Sequence, residues 1–458
     1  MQDYDAIVIG TGQAGPALAR RLVAAGRKVA IIERKLFGGT CVNTGCTPTK
    51  ALVASAYAAH VVRRADDYGV RVEGSVKVDM KAVKARKDAV VAPSRTGIER
   101  SLKSLQGCTV LEGSGHFIAE KGAAVNGAEL AADHIFINVG TRAAIPPIPG
   151  LSQVPYLTNS SMMDVDFLPS HLIILGGSYV GLEFAQAYRR FGSEVTVIEL
   201  APHLIPREDE DVSQTVADFL KEEGIDVRVG SKVVRVEKQG NSIAVQVEVG
   251  GKVSQTVGTH VLVAIGRRPN TDDLGLDKAG IATDSRGFIQ VDEQLRTNIR
   301  GIWAMGDCNG RGAFTHTSWN DFEIVAANLL DNDHRSVNDR ITAYALYTDP
   351  PLGRVGMTET EVRQTGRSAL ISTMAMEDVS RAYEKGETKG FMKILVDRDS
   401  KLIVGASFLG LAGDEVVHSI LDLMYARAPY TVLQRAMHIH PTVSEFLPTM
   451  MQDLKPLQ

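Results

Sequence analysis

A repeated order of strand, glycine-rich turn, helix, strand and acid constrains this chain more than any other feature. Near the N-terminus the apolar run 5–9 leads into Gly10-x-Gly12-x-x-Gly15, an Ala/Leu-rich helical pattern continues to residue 25, and the run 28–32 ends in Glu33. Downstream, residues 172–175 lead into Gly176-Gly177-Ser178-x-x-Gly181, a helical pattern runs through Arg190, and residues 194–198 end in Glu199. Gly10 to Glu33 and Gly176 to Glu199 both span 23 positions. A glycine turn between strand and helix opens unpaired N–H groups and the positive helix end to a pyrophosphate, and the trailing acid accepts from ribose hydroxyls. One such motif alone is also met as a plain glycine-rich turn, but two in matching context predict two dinucleotide-binding units in tandem. Ser178, in place of a middle glycine, still permits close approach.

Each unit closes alike, an apolar strand running into Gly140 in the first and into Gly266 in the second. Acid to closing glycine spans 107 positions in the first unit and 67 in the second. The first therefore carries an insertion, and Cys41 and Cys46 lie in it. Pro146-Pro147-Ile148-Pro149-Gly150 is a stiff linker. The predicted divisions are 1–149, 150–268, a central segment 269–340 that completes the first domain and includes Gly306-Asp307, and a C-terminal domain 341–458. The last alternates strand-like segments (391–396, 402–408) with a helix at 414–428. The fold class is α/β, two tandem Rossmann-like domains followed by an α+β domain.

With 458 residues, two to four domains are expected. The 43 glycines exceed ordinary usage, and the turns account for the excess. A net charge of −4 carries no electrostatic footprint for nucleic acid. No apolar run reaches the ~18 residues of a membrane span, and the N-terminus lacks the basic start of a signal peptide. The expectation is a soluble, cytoplasmic protein with a small-molecule substrate and neither nucleic-acid nor membrane partner. Four cysteines are too few for a disulfide scaffold.

Two of them stand in Gly38-Gly39-Thr40-Cys41-Val42-Asn43-Thr44-Gly45-Cys46-Thr47-Pro48-Thr49-Lys50. Five positions along a regular helix are ~7.5 Å, beyond the ~4.4–6.8 Å Cα separation of a disulfide. A bond between them needs a distorted helix start, which the glycines permit; two free buried thiols are the alternative that spacing leaves open. No second Cys/His pair sits at zinc spacing, so no metal site is predicted.

This stretch resembles the redox-active disulfide motif of the class I flavoprotein disulfide reductases, the group of dihydrolipoamide dehydrogenase, glutathione reductase and mercuric reductase. The resemblance covers essentially the whole chain, since Gly306-Asp307 and His440-Pro441-Thr442-x-x-Glu445 follow in the same order. It implies that Gly10, Gly12, Gly15, Glu33, Thr40, Lys50, Gly140 and Asp307 bind FAD, and that Gly176, Tyr179, Gly181, Glu199 and Gly266 bind NAD(P). It implies a relay from NAD(P)H to flavin to the Cys41–Cys46 disulfide to substrate. Cys41 would attack the substrate and Cys46 contact the flavin. Lys50 would pair with Glu183, and Tyr179 would cover the flavin face, although by themselves Glu183 and Tyr179 read as ordinary helix residues. The C-terminal domain would be the dimerisation domain of a homodimer, in which the partner subunit's His440 and Glu445 supply acid–base chemistry. Chemistry agrees: a thiol near ~8.5 attacks poorly at neutral pH, and an imidazole near ~6.5 can take its proton. His438 is read as a bystander.

Glu199 favours NADH over NADPH, because a carboxylate accepts from a free 2′-OH and repels a 2′-phosphate. The alternative is that Glu199 faces solvent and Arg207 folds back onto a phosphate. Phe314-Thr315-His316-Thr317-Ser318 departs from the Ala-His-Lys-Ala segment of lipoamide dehydrogenases, and residues 447–458 lack the cysteine pair of mercuric reductases. The chain looks closest to mercuric-reductase-like proteins lacking that pair. Three functions follow: reductase of a small disulfide, reductase of a metal ion (Hg or Cu) or quinone, and redox sensor or flavoprotein scaffold with the disulfide as a switch. Cys108 and Cys308 are expected to be buried and unreactive, and the acidic run 208–211 to be a solvated helix start.

Overall fold

Strands whose residues are apolar on both faces must be covered on both sides. In the computed structural model, which describes residues 1–457, two such strands lie inside two sheets, the first a seven-stranded mixed sheet whose strands Gly122–Val125 and His116–Ala119 run antiparallel, the second parallel. Gln2–Ile9 pairs in parallel with Val29–Glu33 on one side and Ala128–Ile137 on the other, and Cys108–Glu112 adds an edge beyond Val29–Glu33. Ile302–Ala304 joins this sheet in parallel against Ala128–Ile137. In the second sheet His171–Leu175 lies between Glu194–Ile198 and His260–Val263, with Asp226–Arg228 and Tyr156–Leu157 at the edges. Helices Ala14–Ala24 and Tyr179–Phe191 follow the two glycine turns. Ile7, Ile31, Ile173 and Ile174 are fully buried, each contributing about 1.5–3 kcal/mol.

The insertion in the first unit is helical. It comprises Gly39–Asn43, Cys46–Arg63 and the long helix Met80–Lys103, whose first turn is capped by Asp79 accepting from Lys81 and Ala82 N–H. The linker ends at Gly150, where φ is +83° and a Cβ would stand 1.9 Å from the Val236 carbonyl oxygen. The closing turns are tied together, because Thr141–Ala143 and Arg267–Pro269 pair antiparallel.

The C-terminal unit is a six-stranded antiparallel sheet in the order Ala343–Leu346, Leu352–Gly356, Ile403–Leu409, Phe391–Asp397, Ala369–Ala375, Lys455–Pro456. Helix Gly413–Tyr425 lies on it so closely that a Cβ on Gly353 would stand 2.2 Å from the Gly413 carbonyl oxygen. Among the described residues no helix is long and apolar enough to cross a membrane.

The acidic run is a helix start whose second half, Glu210 and Asp211, is exposed as expected, while its first half is not. Helix Glu210–Glu222 begins there, but Glu208 and Asp209 are buried against the C-terminal sheet. Sheet register places Tyr344, Arg354, Ser407 and Lys393 side by side across four strands, and this row faces the run. Lys393, 1% exposed, contacts Asp211 at 2.7 Å, Glu359 at 3.1 Å and Asp209 at 3.3 Å. Burial works against its charge, and the carboxylates more than offset it, holding the ammonium above its ordinary value. A surface pattern and a buried ionic interface look alike in sequence until the partner charges are folded against them. Cys108 also differs from expectation, being half-buried, while Cys308 is fully enclosed; burial raises their thiols to about 11 and about 12.

Lys393→Met removes the only cation touching three carboxylates at this junction among the described contacts. It is expected to cost about 3 kcal/mol, measured by urea unfolding of the holoprotein; a loss under about 0.5 kcal/mol, the range of a surface substitution, would count against a structural role for the pair.

Candidate active site

The two glycine turns have the same geometry. Gly10 N–H donates to the Ile32 carbonyl and Gly176 N–H to the Ile198 carbonyl, both at 2.8 Å. Gly10 and Gly176 have φ of +106° and +112°, and a Cβ on either would stand 2.4 Å from a carbonyl oxygen of the closing strand end, Asn138 or Ala264. The acids brace the turns. Glu33 accepts from Thr11 N–H at 3.1 Å, Thr11 Oγ1 at 2.5 Å and Lys35 N–H at 2.8 Å; Glu199 accepts from Gly177 N–H at 2.6 Å and Ala201 N–H at 2.7 Å. Glu199 thus turns back on its own loop, and it remains only partly exposed.

The first turn is continuous with the cysteine segment. Gly38 N–H donates to the Thr11 carbonyl at 3.1 Å, and a Cβ on Gly39 would be 2.8 Å from Gly12 Cα. The helix breaks between the cysteines: Gly39–Asn43 ends, Thr44 and Gly45 leave helical geometry, and Cys46–Arg63 begins anew. A Cβ on Gly45 would lie 2.9 Å from the Thr40 carbonyl oxygen, so the break needs glycine. Both cysteines are free thiols in the structure.

Their protonation is strongly uneven. The hydrogen bond from Cys41 draws Cys46 down to about 6, helped by the Thr315 hydroxyl, whose Oγ1 lies 3.0 Å from Cys46 Sγ, and by the Lys50 charge; burial opposes them. Cys41 moves the other way, raised by its hydrogen bond to Cys46, by burial and by the Cys46 charge. The pair loses one proton easily and the second with difficulty. Lys50, one helical turn after Cys46, binds both oxygens of Glu183 at 2.9 and 2.8 Å, and Glu183 also accepts from Tyr347 N–H at 3.1 Å. That contact joins the cysteine helix to the helix of the second glycine turn. Tyr179 opens the same helix and packs edge-on against Phe314 and Tyr344.

Asp307 follows Gly306, whose φ is +71°, and accepts from Thr141 Oγ1 at 2.8 Å. Its Oδ1 has no protein partner among the described residues, leaving an acceptor for a hydroxyl of a bound cofactor. The buried Asn138 amide lies under the first turn, its Nδ2 likewise without an acceptor. Two turns shaped for pyrophosphates, a free carboxylate oxygen and the thiol pair fit a flavin dinucleotide at the first turn. His440 Nδ1 lies 2.9 Å from Glu445 Oε2, while His438 faces the Ser444 carbonyl. The His440 ring is 74% exposed and has no contact with Cys41 in its own chain, so geometry within one chain leaves the dyad apart from the thiols. Thr315 escaped sequence reading: its segment stood out as a departure from a related pattern, but nothing local tells that the hydroxyl meets a sulfur 269 positions away.

The family model described as pyridine nucleotide-disulphide oxidoreductase matches residues 4–321, and the dimerisation domain model of that family matches residues 342–451. The chain is 36% identical over 455 residues to a probable pyridine nucleotide-disulfide oxidoreductase, RclA, of Escherichia coli, covering 98% of each. It is 30% identical to the mercuric reductase of Bacillus cereus, covering 95% of this chain and 71% of that one. The solved Cu(II) complex of the HOCl-induced flavoprotein disulfide reductase RclA from Escherichia coli superposes with a TM-score of 0.90 at 35% identity, covering 99% of both chains.

In the reduced protein, thiolate absorbance at 240 nm is expected to rise by one equivalent with a midpoint of about 6. Thr315→Val is expected to move that midpoint up by roughly one unit, with Thr315→Ser restoring it.

Proposed function

The chain belongs to the pyridine nucleotide-disulphide oxidoreductase family, and from that premise we propose that it passes electrons from NADH by way of FAD to the Cys41–Cys46 pair and on to a small disulfide substrate, as a homodimer. The observation that carries this reading is the thiol pair at a broken helix, with Thr315 Oγ1 3.0 Å from Cys46 Sγ and Lys50 one helical turn on, surroundings that lower Cys46 and leave Cys41 raised. Gly10, Gly12, Gly15, Glu33, Thr40, Lys50, Gly140 and Asp307 would hold FAD, which when bound supplies the hydride acceptor and the route to sulfur. Gly176, Tyr179, Gly181, Glu199 and Gly266 would hold the nicotinamide nucleotide. The bracing of Glu199 against Gly177 and Ala201 keeps a negative charge at the second strand end, which favours NADH.

The residues then divide the work. Cys41 resists ionisation beside the Cys46 thiolate, so it needs a base, and the partner subunit's His440, oriented by Glu445, takes its proton. Cys41 sulfur attacks one sulfur of the substrate disulfide; a mixed disulfide forms, and the first leaving thiolate receives the proton from the imidazolium. Cys46 thiolate attacks Cys41 sulfur, closing the Cys41–Cys46 bond and releasing the second thiolate. Two electrons have then left the dithiol. Lys50, itself held by Glu183, keeps positive charge near the Cys46 thiolate.

A second reading, Cu(II) as the electron acceptor, is supported by the Cu(II) complex of the Escherichia coli relative. The two readings part on His440, since a metal ion leaves no thiolate to protonate.

NADH is expected to reduce the protein and produce a long-wavelength charge-transfer band, absent in Cys46→Ser and retained in Cys41→Ser. Turnover with lipoamide, glutathione disulfide, quinones, Cu(II) and Hg(II) then identifies the acceptor. His440→Gln is expected to slow disulfide reduction by ~10²-fold or more and to leave Cu(II) reduction far less affected. Loss of the band in neither variant sinks the relay, turnover about tenfold faster with NADPH sinks the Glu199 argument, and reduction without turnover of any acceptor supports a switch instead.

A further inference from the structure

A run of aromatic and acidic side chains connects the second glycine turn to the cysteine segment. Tyr179 opens the helix that follows the turn, and Glu183, one helical turn on, reaches Lys50 beside Cys46. Phe314 precedes Thr315, whose hydroxyl meets Cys46. The Tyr179 ring stands edge-on to Phe314 (6.2 Å, 87°) and to Tyr344 (5.6 Å, 84°), so it links the turn to the segment whose next residue, Thr315, meets Cys46. Its hydroxyl reaches Glu208 Oε1 at 3.5 Å, and Tyr344 donates to the same oxygen at 2.7 Å.

Glu208 is fixed from behind. Its side chain is fully buried, and Arg354, 1% exposed, places Nη1 3.9 Å from Oε2. None of the three guanidinium nitrogens has a hydrogen-bond acceptor among the described residues, and Oε2 has no donor. Arg354 therefore counters the burial of the carboxylate without occupying Oε1, which is left to the two tyrosines. The guanidinium and Tyr344 both belong to the C-terminal sheet, where they are register partners.

We propose that Glu208 is a positioning residue for nicotinamide binding: held by Tyr344 and Arg354 of the C-terminal domain, it tethers Tyr179 across the path from the second nucleotide turn to Cys46. This rests on the reading that the second turn holds the nicotinamide nucleotide. A tethered ring must be displaced for the nicotinamide to approach the centre, so the tether lowers the fraction of protein open to it and weakens apparent affinity by that fraction. The C-terminal domain thereby sets how easily the path opens.

Calorimetric binding of NAD⁺ to the oxidised, FAD-loaded protein reads the tether without turnover. Tyr179→Phe keeps the ring and removes the hydroxyl, and it is expected to tighten binding about threefold, the effect of one modest hydrogen bond on the open fraction. Glu208→Gln is expected to do the same, and the double variant to bind no tighter than either single one, because both remove one interaction. Unchanged binding in Tyr179→Phe, or effects that add in the double variant, overturn the assignment. Where Glu208→Gln does not fold, Tyr344→Phe takes its place with the same expectation, since the released carboxylate closes on the unsatisfied Arg354. Wild-type protein that fails to bind NAD⁺ overturns the nucleotide reading itself, and the tether with it, before any variant is compared.

Discussion

In each nucleotide turn the carbonyl oxygen of the first glycine occupies the space where a side chain on the third would have to stand. A Cβ on Gly15 would be 2.2 Å from Gly10 O, and one on Gly181 2.1 Å from Gly176 O. No other residue type fits, and the approach brings each helix N-terminus directly over its strand end. Everything else is placed from these two points. The cysteine segment leans on the first through Gly38 and Gly39. The Glu183 carboxylate projects from the helix that the second one begins, and its bond to Lys50 fixes how the two units meet at the sulfur centre.

At that centre the chemistry comes from asymmetry. Two thiols in like surroundings would titrate alike and share poor reactivity. Here the broken helix lets Cys41 donate to Cys46, and Thr315 and Lys50 add to the same side of the balance, so one sulfur is ionised near pH 6 at the expense of the other. A sulfur held protonated in this way needs a base brought to it, and in the proposed relay the exposed His440–Glu445 pair would be that base. The dimerisation domain matched at residues 342–451 is the segment that carries it.

The junction between the second nucleotide unit and the C-terminal sheet joins apolar packing, where Leu346, Leu352 and Leu409 share one buried cluster with Phe184, Tyr188 and Phe219, to a buried ionic patch. Lys393 gathers three carboxylates, while Arg354 sits beside Glu208 and Asp209 at 3.9 and 4.0 Å without a hydrogen bond to either. Such groups are costly to bury unless each has a partner. The unevenness, Lys393 satisfied and Arg354 not, leaves the unspent hydrogen-bonding capacity beside Glu208.

Local pattern sufficed for whatever depends on residues near one another in the chain. The two turns and the acids 23 positions after them were legible, because each is a short-range steric or hydrogen-bonding requirement, whereas the helix break was expected only if Cys41 and Cys46 bond, and the pairing of His440 with Glu445 rested on the resemblance. Tertiary structure alone decided other meetings across long separations: Thr315 on Cys46, and Glu208 and Asp209 buried against Arg354 and Lys393, while the Lys50–Glu183 pair that the resemblance implied is formed. An exposed charge and a buried, paired one have the same letter in the sequence. Only the arrival of the opposite charge, carried on a strand more than a hundred residues away, removes the water from it.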